Sequence, residues 1–159
     1  MNARILKDIS ERMIERGETL AVAESVTAGL IMSSFSEAPN ASGFFQGGIT
    51  VYNLGQKTRQ LNVEPIHAES INCVSEYVAQ TMACDVSKQF CSQWGIAITG
   101  YATPVPALKI KTCFAIYAFA HKGVPVVTTR IDTKIKGQNA VKRYFIENVI
   151  RAFAKHVHE

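Results

Sequence analysis

No apolar run in the 159 residues approaches the ~20 that a membrane-spanning helix requires, so no membrane partner is expected. Met1 to Met13 is charged and amphipathic, without the unbroken apolar segment of a secretory leader, and the reading is a cytoplasmic chain. Cysteine is sparse. Cys73, Cys84, Cys91 and Cys113 contain no C-x-x-C pair, which argues against a zinc ribbon or a dithiol redox centre. All four read as reduced thiols, with Cys84 and Cys91 on one face of a helix. A dense basic stripe interleaved with aromatics is also missing. The net charge of +4 comes from 17 basic and 13 acidic residues, scattered except for Lys134, Lys136, Lys142 and Arg143. That pattern predicts no nucleic-acid partner; the loose group is either a solvated helix face or an attractor for phosphate.

Polar low-complexity sequence is absent too. With 47% hydrophobic and 19% charged residues, the chain has the composition of a globular protein. Its length suits one domain, 1–159, that buries a core without disulfide or metal support.

The hydrophobic spacing predicts alternating helices and strands. Ile5, Ile9, Met13 and Ile14 mark a first helix, with Gly17 at the place of a left-handed cap. Thr19–Ala23 reads as a strand buried on both faces, running into Glu24 and Ser25 and then a helix from Thr27 to about Phe35. Ser25 or Thr27 is the expected N-cap. A second strand follows at Gly47–Tyr52, a short helix at Gln56–Leu61, and an irregular stretch through Pro65. Ser75 opens a long helix with Val78, Met82, Val86 and Phe90 inward. Ile96–Thr99 is a short strand, Lys111–Ala120 and Val124–Ile131 form an antiparallel hairpin, and Asn139 to Val157 is a terminal helix. This order predicts an α/β protein, a three-layer α/β/α sandwich with a mixed β-sheet.

In such sheets ligands gather beyond the carboxyl ends of the strands. Three loops leave those ends: Glu24–Thr27, Tyr52–Lys57 and Thr99–Pro104. Ser25 at a helix start would aim backbone amides toward an oxyanion or phosphate. The plainer alternatives are a capping serine, a solvated Lys57, a sheet-anchoring Tyr52 and a β-branched strand residue at Thr99. Glu24 is expected to orient the turn rather than act as a base.

The stretches AESVTAG (Ala23–Gly29), FFQGGITVYN (Phe44–Asn53) with Lys57 after it, CVSEYVA (Cys73–Ala79) and AITGYATP (Ala97–Pro104) occur in one order along the chain. Together they resemble the CinA C-terminal domain family, which has A-E-S-C-T-G-G for the first and an S/T-G-I-A-G-P run for the last. The likeness spans nearly the whole chain. Active members of that family are nicotinamide mononucleotide deamidases, hydrolysing an amide C–N bond to the acid and ammonia with a serine assisted by a lysine. The resemblance implies Ser25, Lys57, Tyr52 and Thr99 as catalytic residues. Ser42, Thr27, Gly100 and Lys142 complete the implied substrate-binding set. It further implies a nucleotide substrate, no cofactor, no metal and a homo-oligomer.

This chain departs from the family pattern in several places. Val26 replaces the cysteine after the serine, and Ala28 the first of two glycines. The third loop reads Thr103-Pro104-Val105-Pro106-Ala107 where the family is longer and glycine-rich, which removes amides suited to cradling phosphate. Gln138 stands where the family has an arginine, and Asn72 where it often has glycine. Two functions are therefore weighed: an amidohydrolase acting on the nicotinamide amide or a related small amide, and a catalytically degenerate nucleotide-binding or regulatory module.

Overall fold

Leu20, Ala21, Val22, Ala23 and Glu24 are completely buried, and the rest of the chain is arranged around them. In the computed structural model, which describes residues 3–158, they form β1 (Leu20–Glu24). Residues 1, 2 and 159, the ends of the expected domain, lie outside the described residues. Before β1 comes α1 (Ala3–Glu15), which ends in a Schellman motif: Glu18 N–H donates to Met13 O, Gly17 N–H donates to Ile14 O, and Gly17 has φ 61°. After it come α2 (Leu30–Ser36), β2 (Phe45–Thr50), α3 (Leu54–Leu61), α4 (Pro65–Ser70) and α5 (Glu76–Gln89). The chain closes with β3 (Trp94–Tyr101), β4 (Cys113–His121), β5 (Val124–Thr133) and α6 (Gln138–His156).

The five strands lie in the order β2-β1-β3-β4-β5. β1 is parallel to both β2 and β3, whereas β3–β4 and β4–β5 are antiparallel, so the sheet is mixed as expected. Leaving β1, the chain first builds the strand on one side and later the strand on the other. The carboxyl end of β1 is therefore a switch point, where the connections diverge and leave a crevice. The β4–β5 hairpin turns through Lys122 and Gly123, both with positive φ, as a two-residue type I′ turn requires.

Two apolar layers hold the sheet. One packs Ile9 and Met13 of α1, Ile31 and Phe35 of α2, and Phe145, Val149 and Phe153 of α6 against one face. The other packs Leu61 of α3, Ala68 of α4, and Val78, Met82 and Val86 of α5 against the opposite face. This is the expected three-layer sandwich. α5 lies so close to the sheet that a Cβ at Gly95 would come within 2.0 Å of Ala83 O.

Several boundaries differ from the sequence reading. α2 starts at Leu30, not Thr27, because Ala28 (φ 51°) and Gly29 (φ 99°) are left-handed and interrupt any helix there. The stretch around Pro65 is not irregular: Pro65 is the first residue of α4, and the Glu64 side chain accepts from Ile66 N and His67 N. β3 is extended at both ends relative to Ile96–Thr99. Cys91 is exposed beyond the end of α5, so it does not share a helix face with Cys84. No helix among the described residues is long and apolar enough to cross a membrane.

Candidate active site

Ser25 follows directly from the end of β1. Its N–H donates to Ile98 O of β3, and Val51 N–H donates to Glu24 O, so both neighbouring strands fix the turn that begins at the serine. Glu24 is completely buried and caps the next helix from the strand side. Its Oε2 accepts from Thr27 Oγ1 at 2.5 Å, Gly29 N at 3.0 Å and Ile31 N at 3.1 Å, and its Oε1 accepts from Met32 N at 2.7 Å. The expected cap by Ser25 or Thr27 is thus replaced by a carboxylate, which suits the positive end of a helix. That leaves the Ser25 hydroxyl free for another partner.

That partner is Lys57. Asn53 caps α3 by accepting from Gln56 N, which sets the helix phase so that Lys57 and Leu61 form its buried face. The Lys57 side chain crosses the interior, only 1% exposed, and its Nζ lies 2.9 Å from Ser25 Oγ and 2.9 Å from Val51 O. No carboxylate among the described residues pairs with it. Lys57 Nζ donates to Ser25 Oγ and to Val51 O, so an ammonium here would have a third N–H with no partner among the described residues. Burial pushes the Lys57 pKa down in the same direction, with the Cys73 thiol opposing it. The same burial pushes the Cys73 thiol up, against the Lys57 charge.

Ser25 and Lys57 open onto a cavity of about 450 Å³ at the switch point. Tyr52 stands at its mouth, 64% exposed, and Thr99 and Gly100 form part of its wall. The Thr99 hydroxyl is committed: Oγ1 donates to Cys73 O at 2.8 Å, tying the α4–α5 connection to β3. Gly100 has a packing reason to be glycine, since a Cβ there would lie 2.4 Å from Phe114 O.

Three expected binding residues are not brought to this cavity. Thr27 is completely buried, with its hydroxyl given to Glu24. Ser42 is exposed on a single 3-10 turn, Ala41–Gly43, and Lys142 lies on α6; neither lines the cavity. Conversely, Asn53, Glu69, Asn72, Cys73 and Tyr101 line it and were not singled out from the sequence as site residues. Asn72 (φ 50°) and Cys73 (φ 63°) reach it through a left-handed turn after α4, a helix the hydrophobic spacing did not reveal. Gln138 also lines the cavity, at the start of α6. Burial pushes the Tyr101 pKa up, with the Cys73 thiol adding to it. The third loop folds on itself: Val105 and Ile110 exchange backbone hydrogen bonds around the 3-10 turn Pro106–Leu108. Among the described residues, no three His, Cys, Asp or Glu side chains gather closely enough to hold a metal ion.

Known proteins share this architecture. A crystal structure of a competence-damaged protein (CinA) superfamily protein from Klebsiella pneumoniae 700603 superposes with a TM-score of 0.88 over 98% of this chain and 97% of that one, at 21% identity. A superfamily member from Enterobacter cloacae gives 0.84 over 98% and 91%, at 24% identity. In sequence, a CinA-like protein of Mycobacterium avium (strain 104) is 34% identical over 127 residues, 80% of this chain and 29% of that protein. A CinA-like protein of Synechocystis sp. is 40% identical over 103 residues, 65% of this chain and 25% of that protein. The matches thus span less than a third of these two relatives' length. The profile of the CinA C-terminal domain matches residues 2–157. With that profile covering nearly every residue, the chain belongs to the CinA C-terminal domain family.

Proposed function

We propose that the protein is an amidohydrolase resembling nicotinamide mononucleotide deamidase, with Ser25 as nucleophile and Lys57 as general base. The observation that supports this most is the 2.9 Å contact between Lys57 Nζ and Ser25 Oγ in a buried corner where no carboxylate among the described residues pairs with the lysine. A serine hydroxyl attacks an amide only when a base takes its proton, and a lysine serves as that base only when burial lowers its pKa.

In the proposed reaction, Ser25 Oγ forms a bond to the amide carbon as Lys57 takes the hydroxyl proton. The oxyanion faces the turn after the serine, where the Val26 and Thr27 amides make no hydrogen bond among the described residues. Such donors stabilise the charge that develops in the transition state. As the tetrahedral intermediate collapses, the C–N bond breaks and Lys57 returns the proton to the nitrogen, which leaves as ammonia. Water then attacks the Ser25 ester, with Lys57 again acting as base, and releases the acid. Tyr52 and Tyr101 flank the cavity as aromatic faces for a planar ring.

The test is ammonia release from nicotinamide mononucleotide by the purified protein, against a Ser25→Ala control. Release at least about a thousandfold faster than the control is expected. Release no faster than the control would overturn the reading and favour the degenerate binding module.

A further inference from the structure

We propose that Tyr101 is a specificity-determining residue of the Ser25–Lys57 cavity, a wall fixed in advance that selects carboxamides on flat aromatic rings, with Phe114 and Arg130 as its positioning residues. The inference deepens the amidohydrolase reading and rests on it for the choice of carboxamide probes.

In the stretch AITGYATP, Tyr101 stands where the S/T-G-I-A-G-P run it resembles has isoleucine, so the ring is an addition relative to that pattern. Alternate residues of a strand point to one face, and Thr99 and Tyr101 at the end of β3 reach the same way. Their hydroxyls donate to successive carbonyls of the turn between α4 and α5. Thr99 Oγ1 donates to Cys73 O at 2.8 Å, and the Tyr101 hydroxyl makes a longer bond of 3.4 Å to Asn72 O.

The sheet holds the same ring from the other side. Tyr101 pairs with Phe114 of β4, and Phe114 pairs with Asp132 of β5, the edge strand. The Tyr101 and Phe114 rings meet edge-on, with centroids 5.5 Å apart and planes at 61°. The Arg130 guanidinium lies over the Phe114 ring, 3.8 Å from its centroid, where a cation is attracted to the aromatic face. Arg130 is itself held by hydrogen bonds to both carboxylate oxygens of Asp132. Arg130, Phe114 and Tyr101 thus form a column from the sheet edge inward, of which only Tyr101 lines the cavity.

Tyr52, the other tyrosine at the cavity, is built differently. It is 64% exposed, and its side chain makes no hydrogen bond or ring contact among the described residues. An aromatic side chain already held in place loses little freedom when a ligand packs on it, whereas a free one has first to be ordered. Tyr101 is therefore the wall that discriminates. A flat aromatic ring matches it through area and quadrupole together, and a puckered saturated ring of the same size through area alone.

The test measures binding to the Ser25→Ala protein, which cannot turn over, by ligand-observed NMR with nicotinamide and cyclohexanecarboxamide. Both carry a primary carboxamide on a ring of the same size, and only the first ring is flat. Nicotinamide is expected to bind about fivefold or more tightly. Tyr101→Leu should erase that preference, and Tyr101→Phe, which keeps the ring, should retain most of it. Arg130→Gln should reduce it about twofold, and Arg130→Lys, which keeps a cation for Phe114, should recover it. Partial unfolding weakens both amides together and leaves their ratio unchanged, so the ratio reads the wall and not the stability of the variant. Equal affinities in the parent protein, binding of neither amide, or a preference that survives Tyr101→Leu overturns the proposal. A preference unaffected by Arg130→Gln overturns the positioning role. Ammonia release by the unsubstituted protein reports on the amidohydrolase reading alone, so the two can fail separately.

Discussion

The two sides of the cavity are built in opposite ways. On one side, Glu24, Ser25 and Lys57 are buried and tied into the ends of three adjacent elements by the backbone bonds of Ser25 and Val51 and the side-chain bonds of Glu24 and Lys57. On the other, Thr103, Pro104, Pro106, Ala107 and Leu108 are exposed, and the loop is closed by its own Val105–Ile110 pairing. A change in the first region disturbs the core; a change in the second is met mostly by solvent. Substitutions in the corner should therefore cost more than substitutions in the facing loop.

Substitutions can break or sharpen that contrast. The largest effect on stability is expected from Glu24→Ala, which leaves the Gly29, Ile31 and Met32 amides and the Thr27 hydroxyl without their acceptor. A loss of about 3 kcal/mol is expected in denaturant unfolding, and a loss below about 1 kcal/mol would show that the corner is not over-determined.

Next comes Lys57→Met, expected to lower kcat/KM for the amide by about a hundredfold or more. Under the proposed reaction, the unsubstituted protein's rate should rise with pH as Lys57 loses its proton below its ordinary 10.5, and the variant should lose that limb. Stability follows a related sign. With the folded pKa below the unfolded one, the folded chain binds fewer protons between the two values, so stability rises with pH across that window. Lys57→Met should flatten this slope and raise stability at neutral pH by about 1 kcal/mol or more. An unchanged pH dependence of unfolding would show that Lys57 is not held against its charge.

Ala28→Gly is expected to stabilise by about 0.5–1 kcal/mol, because alanine at φ 51° carries a steric cost that glycine lacks. The measurement is the shift in unfolding midpoint; destabilisation would mean that Ala28 makes a compensating contact. Smallest is Leu108→Ala, in the exposed loop, expected to leave stability within about 0.5 kcal/mol. A larger loss would show that the loop is integral to the core and the contrast between the two sides too sharp.

Much of the architecture was legible because its signals are local. The apolar run at Thr19–Ala23, the Ser75 cap, the Lys122-Gly123 turn and the periodicity of α6 each record a nearby physical requirement. α4 was not legible, although Pro65 at its first position was a usable signal, because six residues are too few to show a period. The start of α2 was misplaced because its cap comes from Glu24, at the end of a strand, rather than from a neighbouring serine or threonine. Thr27 and Ser42 illustrate a further limit. Both are hydroxyl residues near the predicted site in sequence, yet one points into the core and the other lies away from the cavity.

The sequence by itself determined the order of most elements and the layered architecture, since periodicity and turn chemistry are properties of contiguous residues, and its family resemblance supplied Ser25 and Lys57 as candidates. Only the tertiary structure decided which side chains meet. Lys57 reaches Ser25 because the Asn53 cap sets the phase of α3 so that Lys57 lies on its buried face, and Lys111 comes near Lys134 and Lys136 in the fold because β4 and β5 pair antiparallel. Contacts of this kind are set by strand pairing and helix phase across many residues of chain, and no local pattern records them.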